Sequence, residues 1–361
     1  MLKNLFRPLT LLAILSLIVI ALMMLFPQQA LTASLRGLAI WWEVLFPALF
    51  PFFVISELML GFGVVHFFGK ILDPLMRPIF RIPGIGGFVV TLGYISGYPV
   101  GARLTAQLYE QGLLNRREGE RLVAFTTSSD PIFLIGAVSI GFFGQAELAL
   151  VLAAAHYIGV LIVGILMRFH DVSEAEVKAR ARYSVTTKNT MKRYKQSLLH
   201  QALLAMHEAR LLDGRSLAVV FHQAINHALR LMIVVGGLVV FFSVVLQLFS
   251  DAQLLSTLII ALKHLFQWLG ISPLVAEGLI PGIFEVTLGA QQASLTALPL
   301  QHQAAIAVAI LSWGGLSVHA QVASLLSQTS IRYAPFLVAR LLHSIISVIL
   351  LYMLWNWLGP Q

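Results

Sequence analysis

Apolar residues run along this chain in stretches too long for the helices of a soluble domain. Largely apolar segments occupy 9–26, 37–60, 119–142, 145–168, 217–249, 303–326 and 331–357. Each is long enough to cross a hydrocarbon layer of about 30 Å. Two further apolar segments have a different texture. Residues 86–114 and 271–297 are interrupted by Gly and Pro, so each predicts two half-length helices that enter and leave on one side of a membrane. Residues 61–85 mix Lys70, Asp73, Arg77 and Arg81 with apolar positions, which predicts a helix lying along the membrane surface. Residues 253–270 predict a second amphipathic helix. Trp41 and Trp42 suit a membrane interface, and Pro47 and Pro51 predict a kink in the second span.

The interruptions repeat. Gly93-Tyr94-Ile95-Ser96-Gly97-Tyr98-Pro99-Val100-Gly101-Ala102 and Gly278-Leu279-Ile280-Pro281-Gly282-Ile283-Phe284-Glu285 align with Gly93 on Gly278, Ile95 on Ile280 and Gly97 on Gly282. At the same register, Thr127-Ser128-Ser129-Asp130 falls on Ser312-Trp313-Gly314-Gly315, so a mid-span break in the first half matches one in the second. Paired broken segments in corresponding halves are the sequence mark of a transporter binding site. The expected architecture is an all-α polytopic membrane protein of two inverted-topology repeats, each with a re-entrant helical hairpin and a broken transmembrane helix. The expected divisions are an N-terminal helix (1–36), a first repeat (37–169), a basic linker (170–215) and a second, inverted repeat (216–361). In the linker, Ser173-Glu174-Ala175-Glu176 reads as a capping box that starts a helix.

Charge changes the picture only in its placement. Lys and Arg exceed Asp and Glu by 8, but charged residues are only 11% of the chain. The excess sits in loops, so it sets topology rather than marking a nucleic-acid partner. Residues 61–121 carry Lys70, Arg77, Arg81, Arg103, Arg116, Arg117 and Arg121, whereas 250–305 carry Lys263 alone. The first hairpin therefore opens to the cytoplasm and the second to the outside, with the linker cytoplasmic and the C-terminus external. The segment 9–26, preceded by Lys3 and Arg7, reads as an uncleaved helix rather than a signal peptide. The chain has no Cys, no His-Glu-x-x-His and no P-loop, so no thiol chemistry, no zinc-protease site and no ATP drive is expected; nor is an enzyme.

Half-helices that start inside a membrane aim N–H groups and a positive dipole end at the centre, where anionic groups bind. The candidate substrate residues are Ser96, Gly97, Tyr98 and Gly101 at the first tip, Thr127, Ser128 and Ser129 at the first break, Gly282, Glu285 and Thr287 at the second tip, Ser312 at the second break, and Arg340 in the last span. Charged groups inside spans cost about 2.5–3.5 kcal/mol on insertion scales, so Glu57, Asp130, Glu277, Glu285 and Arg340 are the functional candidates, with Glu57, near the inner interface, read as solvated. Asp130 and Glu285, beside the breaks, are the candidates to carry a coupling ion, Na⁺ or H⁺, or to pair with Arg340. His319 and His343 are read as polar packing within spans. No resident cofactor or metal is expected.

Two further stretches, Gly314-Gly315-Leu316-Ser317-Val318-His319-Ala320-Gln321 and Ile331-Arg332-Tyr333-Ala334-Pro335-Phe336 with Arg340-Leu341-Leu342-His343, together with Gly93–Ala102, resemble the YlbJ (SpoVV) family of sporulation integral membrane proteins. That family carries the gate, or nucleoside-recognition, domain and is distantly similar to concentrative nucleoside transporters. The resemblance implies a bacterial cytoplasmic membrane protein, placed in the outer forespore membrane, that moves dipicolinic acid during spore formation. A nucleoside-like solute, or a scaffold for a sporulation complex, are the alternatives. Homo-oligomerisation is left open.

Overall fold

Every regular element among the described residues of the computed structural model is helical; these residues are 8–98, 100–171 and 197–360. The capping box at Ser173, most of the basic linker and the residues before Pro8 lie outside them.

The chain begins with α1 (Pro8–Leu25) and α2 (Pro27–Ala39), which runs through a π-helical turn, Ile40–Leu45, into α3 (Phe46–Gly61). The prolines that predict a kink lie just after that turn. Pro47 and Pro51 offer no N–H, and the ring of each crowds the carbonyl a turn earlier, so the helix widens just before them. α4 (Val64–Leu75) is strongly amphipathic and packs across α5 (Gly86–Ser96). α5 and α6 (Val100–Glu110) form the first hairpin, and α7 (Arg116–Thr126) follows, opened by a reciprocal cap between Asn115 and Glu118. After four non-helical residues, 127–130, the chain continues as the π-helical segment Phe133–Phe142 and returns through α8 (Leu148–Met167).

The second half starts at α9 (Leu198–Asp213) and the long α10 (Leu217–Asp251), followed by α11 (Ser256–Trp268). α12 (Leu274–Phe284) and α13 (Val286–Leu295) make the second hairpin. α14 (Leu300–Trp313) and α15 (Gly315–Leu326) meet at Gly314, and α16 (Tyr333–Leu358) ends the fold. Among the described residues, five helical stretches are long and apolar enough to cross a membrane: Pro27–Met59, Leu148–Met167, Leu217–Asp251, Leu300–Leu326 and Tyr333–Leu358. Ala13–Leu25, Gly86–Ser96, Phe133–Phe142 and Leu274–Phe284 are apolar but shorter.

The core centres on α14, whose residues Ala304 to Ser312 are all buried, with α8, α12, α13 and α16 around it. Beside it the first hairpin packs through Val89 and Leu108 against Leu122 and Phe125 of α7 and Val160 of α8, with the Phe80 and Phe125 rings stacked at 4.6 Å. The hairpin and α7 also meet the second half directly: Ala102 of α6 and Val123 of α7 pack with Val318, Val322 and Phe336. α10 instead carries α2 along its length, where Gly37 lets the two backbones approach so closely that a Cβ would lie 2.9 Å from Val240 Cα.

Candidate substrate site at the broken helices

The first break is written by Pro131. Proline removes an N–H and pushes the residue before it out of helical conformation, and the backbone is extended from Thr127. Asp130 closes the gap. Its Oδ1 accepts hydrogen bonds from the backbone N–H of Ile132 (3.1 Å) and Phe133 (2.8 Å), capping the half-helix that follows. In the second half Glu285 does this for the hairpin tip. Its backbone is extended between α12 and α13, and its Oε2 accepts from the N–H of Leu288 at 2.8 Å. The matching break there has no carboxylate; Gly314 and Gly315 both take the left-handed conformation, at φ 89° and 76°.

These four features interlock in pairs. A Cβ on Gly97 (φ 71°) would lie 2.7 Å from Asp130 Oδ2, and one on Gly315 would lie 3.0 Å from the Phe284 carbonyl oxygen and 3.1 Å from Glu285 Cα. Each half thus seats its tip against its break through one carboxylate and one glycine. In the first half the acid comes from the break, in the second from the tip.

Breaking helices at depth leaves carbonyls without partners, and each must be satisfied inside the protein. Arg340, fully buried on α16, satisfies three. Its Nη2 donates to the Ala124 carbonyl and its Nη1 to those of Thr127 (2.6 Å) and, more weakly, Ser312 (3.5 Å). One guanidinium therefore caps the C-terminal ends of α7 and α14, where the helix dipoles are negative. Tyr98 Oη donates to the Leu311 carbonyl, joining the first tip to the second break. Tyr157 Oη donates to the Ser129 carbonyl at 3.0 Å, and Trp313 Nε1 to that of Ile283 at 3.2 Å. His319 Nε2 bonds the Trp313 carbonyl at 3.1 Å and its Nδ1 bonds Tyr333 Oη at 2.6 Å.

A buried hydroxyl–imidazole chain crosses the centre. Ser128 Oγ lies 2.8 Å from His156 Nε2, His156 Nδ1 lies 3.1 Å from Ser312 Oγ, and Ser312 Oγ donates to Ser347 Oγ at 2.9 Å. His343 Nε2 bonds the His156 carbonyl at 2.9 Å, and the two rings are 4.7 Å apart.

Of the residues picked from sequence, Tyr98, Thr127, Ser128, Ser129, Ser312 and Arg340 meet at this centre, with Asp130 capping beside Gly97. Glu285 and Thr287 lie at the facing tip. Ser96 is half-buried at the end of α5. Gly101 and Gly282 serve helix packing: a Cβ on Gly101 would lie 2.4 Å from the Thr126 carbonyl oxygen, and one on Gly282 2.4 Å from the Ile310 side chain. Neither Asp130 nor Glu285 lies within ion-pair distance of Arg340, which has no carboxylate partner among the described residues. Glu57 faces His227 at 3.2 Å and Glu277 faces Lys263 at 2.5 Å, both away from the centre. Sequence reasoning passed over His156, Tyr157 and Ser347. A titratable His in the otherwise apolar α8 was the signal that could have found the first.

A second polar cluster ties the two halves at one edge of the fold. Arg332, just before α16, holds buried Glu120 through Nε (2.7 Å), Nη2 (2.9 Å) and its backbone N–H (3.2 Å). His170 Nε2 lies 2.7 Å from the same carboxylate, and Asp171 faces Arg116, Arg117 and Arg332 at 3.1, 3.1 and 3.3 Å. Glu120, His170 and Asp171 bring three ligand-type atoms within 4.8 Å, but the arginines already occupy these carboxylates and would repel a metal cation. Slight burial works against the Asp171 charge, yet Arg117, Arg116 and Arg332 hold its carboxyl below the ordinary aspartate value.

A helical fold with several membrane-length spans and a buried polar centre defines a multi-pass integral membrane protein. The model of the Gate domain, described as nucleoside recognition, matches residues 42–169. The sporulation integral membrane protein YlbJ of Bacillus subtilis is 42% identical over 330 residues, covering 91% of this chain and 78% of that protein. The chain belongs to the YlbJ family of sporulation integral membrane proteins. An uncharacterised protein of Alkalihalophilus pseudofirmus is 29% identical over 113 residues, 31% of this chain and 23% of its own length.

Proposed function

We propose that this protein is a secondary transporter of a small anionic solute, built from two inverted repeats whose re-entrant hairpins and broken helices hold the substrate between them. One observation carries the reading: a fully buried arginine charge, without a carboxylate partner among the described residues, sits where the breaks of both halves converge. A charge at that depth is costly to keep unless the cycle uses it. α15 also starts at this centre with Gly314 as its N-cap and no side-chain cap, leaving a positive dipole end for an anion. Dipicolinate, the dianion implied by the family resemblance, is the first candidate; a nucleoside-like solute is the second. Arg332, Glu120 and Asp171 then mark the cytoplasmic edge, so the first hairpin opens to the cytoplasm, the second to the outside, and the C-terminus is external. Asp130 and Glu285 stay candidates for the coupling ion, Na⁺ or H⁺, since each cap uses one carboxylate oxygen.

The test is counterflow in proteoliposomes. Vesicles preloaded with unlabelled dipicolinate should take up labelled dipicolinate faster than protein-free vesicles, with saturation, and Arg340→Gln should abolish the difference. Exchange of a nucleoside but not of dipicolinate would move the reading to the second solute. Exchange of neither, by protein that melts cooperatively, would leave the non-transporting scaffold.

A further inference from the structure

The hydrogen-bond accounting at the centre leaves one basic nitrogen over. The His156 backbone carbonyl can only accept, so the His343 Nε2 facing it carries a hydrogen. Neutral His343 then has a bare lone pair at Nδ1. This atom is fully buried and has no hydrogen-bond partner among the described residues, although the ring also faces the backbone of Ser312. Both nitrogens of this ring thus look toward backbone acceptors, and an imidazolium could donate to two where an imidazole donates to one. His156 has no such spare position. Ser312 Oγ gives its hydrogen to Ser347, so it accepts from His156 Nδ1–H, and His156 Nε2 accepts from Ser128. Among the described residues, Thr127 Oγ1, Arg340 Nε and Tyr94 Oη are also buried without partners. Buried orphans of this kind are rare in native proteins, and a group that takes up a proton or ion is one physical account of them.

We propose that His343 Nδ1 is a proton-binding site that is filled together with the anion, so that the transporter moves H⁺ and anion as a pair. In the step, the Nδ1 lone pair takes a proton from water on one side, and the ring becomes an imidazolium. The same proton leaves to water on the other side, and the neutral ring is restored. The charged and titratable groups around it are few. Arg340 lies one turn away on α16, His156 and Tyr157 face it from α8, Tyr94 and Tyr98 come from the first hairpin, and Asp130 is held at its cap. Arg340 and an imidazolium repel each other, and an anion beside them attracts both. Each ligand therefore favours the other, as coupling requires. The contacts of His343 belong to both halves, through Ser312 on one and through His156, itself bonded to Ser128, on the other. A shift at either break reaches the ring.

The anion partner rests on the function proposed above, whereas the proton site can be read without transport. Protein labelled with ¹⁵N-histidine in lipid nanodiscs gives imidazole nitrogen shifts, and His343→Asn, which can still donate to the His156 carbonyl, identifies the resonance by its loss. Dipicolinate added at about pH 6.5, near the ordinary imidazole value, should move the His343 nitrogens to the imidazolium position. Dipicolinate that binds, by calorimetry, while His343 stays neutral would overturn the proposal and leave anion transport standing. If dipicolinate does not bind, anion transport loses its first substrate and titration of the free protein decides. An imidazolium signal from His343 above roughly pH 5 with the fold intact supports the proton site, and a ring neutral throughout overturns it.

Discussion

Glycine decides how closely the parts of this centre approach. Gly159 on α8 lies beneath the histidine chain, where a Cβ would sit 2.5 Å from Ser347 Oγ and 3.2 Å from His343 Cδ2. A methyl group there must push both side chains off the Ser312 and His156 bonds. On Gly101 the obstacle is the Thr126 backbone itself, at 2.4 Å, which cannot swing aside. Gly159→Ala and Gly101→Ala should each destabilise by about 1–3 kcal/mol or more, the usual cost of overpacking, with Gly101→Ala the worse. Gly237→Ala is the control, since its Cβ meets nothing within 4 Å; it should melt at or above the wild-type temperature. Equal melting of all three in detergent would contradict the packing described. At this scale the sequence was partly legible. Gly97, Asp130 and Pro131 announce a break because they act on their own backbone. Arg340 announces a buried charge, but not that it serves the carbonyls of Ala124 and Thr127. Those lie 216 and 213 residues away, and no local pattern encodes such a contact.

Among the elements, the contact between α7, the end of α8 and the start of α16 is a latch between halves. Glu120 is its buried member, held by Arg332 and His170. Charge-assisted pairs of this geometry are strong, whereas the Asp171 pairs are open to water and screened by salt. Glu120→Gln and Arg332→Gln should each lower the melting temperature, and the double variant should lose clearly less than the sum, as contacting residues do; additive losses would show that the latch contributes nothing. The pH sign follows from Asp171. Its carboxyl is held below the ordinary value of 3.8, so its contribution is complete above that value and is lost as pH falls through and below it. Between roughly pH 5 and 8 the Asp171 contribution should be flat. The sequence foretold arginines near this edge as topology signals, yet gave no sign that Arg332 would reach back to Glu120. The two are 212 residues apart, and a charge in a loop looks the same whether it meets water or a partner.

For the whole molecule, the account depends on two halves that run in opposite directions and meet at their breaks. The all-helical, multi-pass character was legible because apolar length alone dictates it. Opposite orientation rests on weaker signals, the register shared by Gly93 with Gly278 and Gly97 with Gly282, and the unequal placement of Lys and Arg. It can be read directly, because the chain contains no Cys. Gln111 follows the first hairpin and Ala297 the second, and both are exposed. Gln111→Cys and Ala297→Cys, made singly, should react with a membrane-impermeant maleimide from opposite faces. The cysteine at 111 should label only in inside-out vesicles, and the one at 297 only in intact cells. Labelling of both from the same face would contradict the inverted arrangement and, with it, a substrate site shared between two opposed halves.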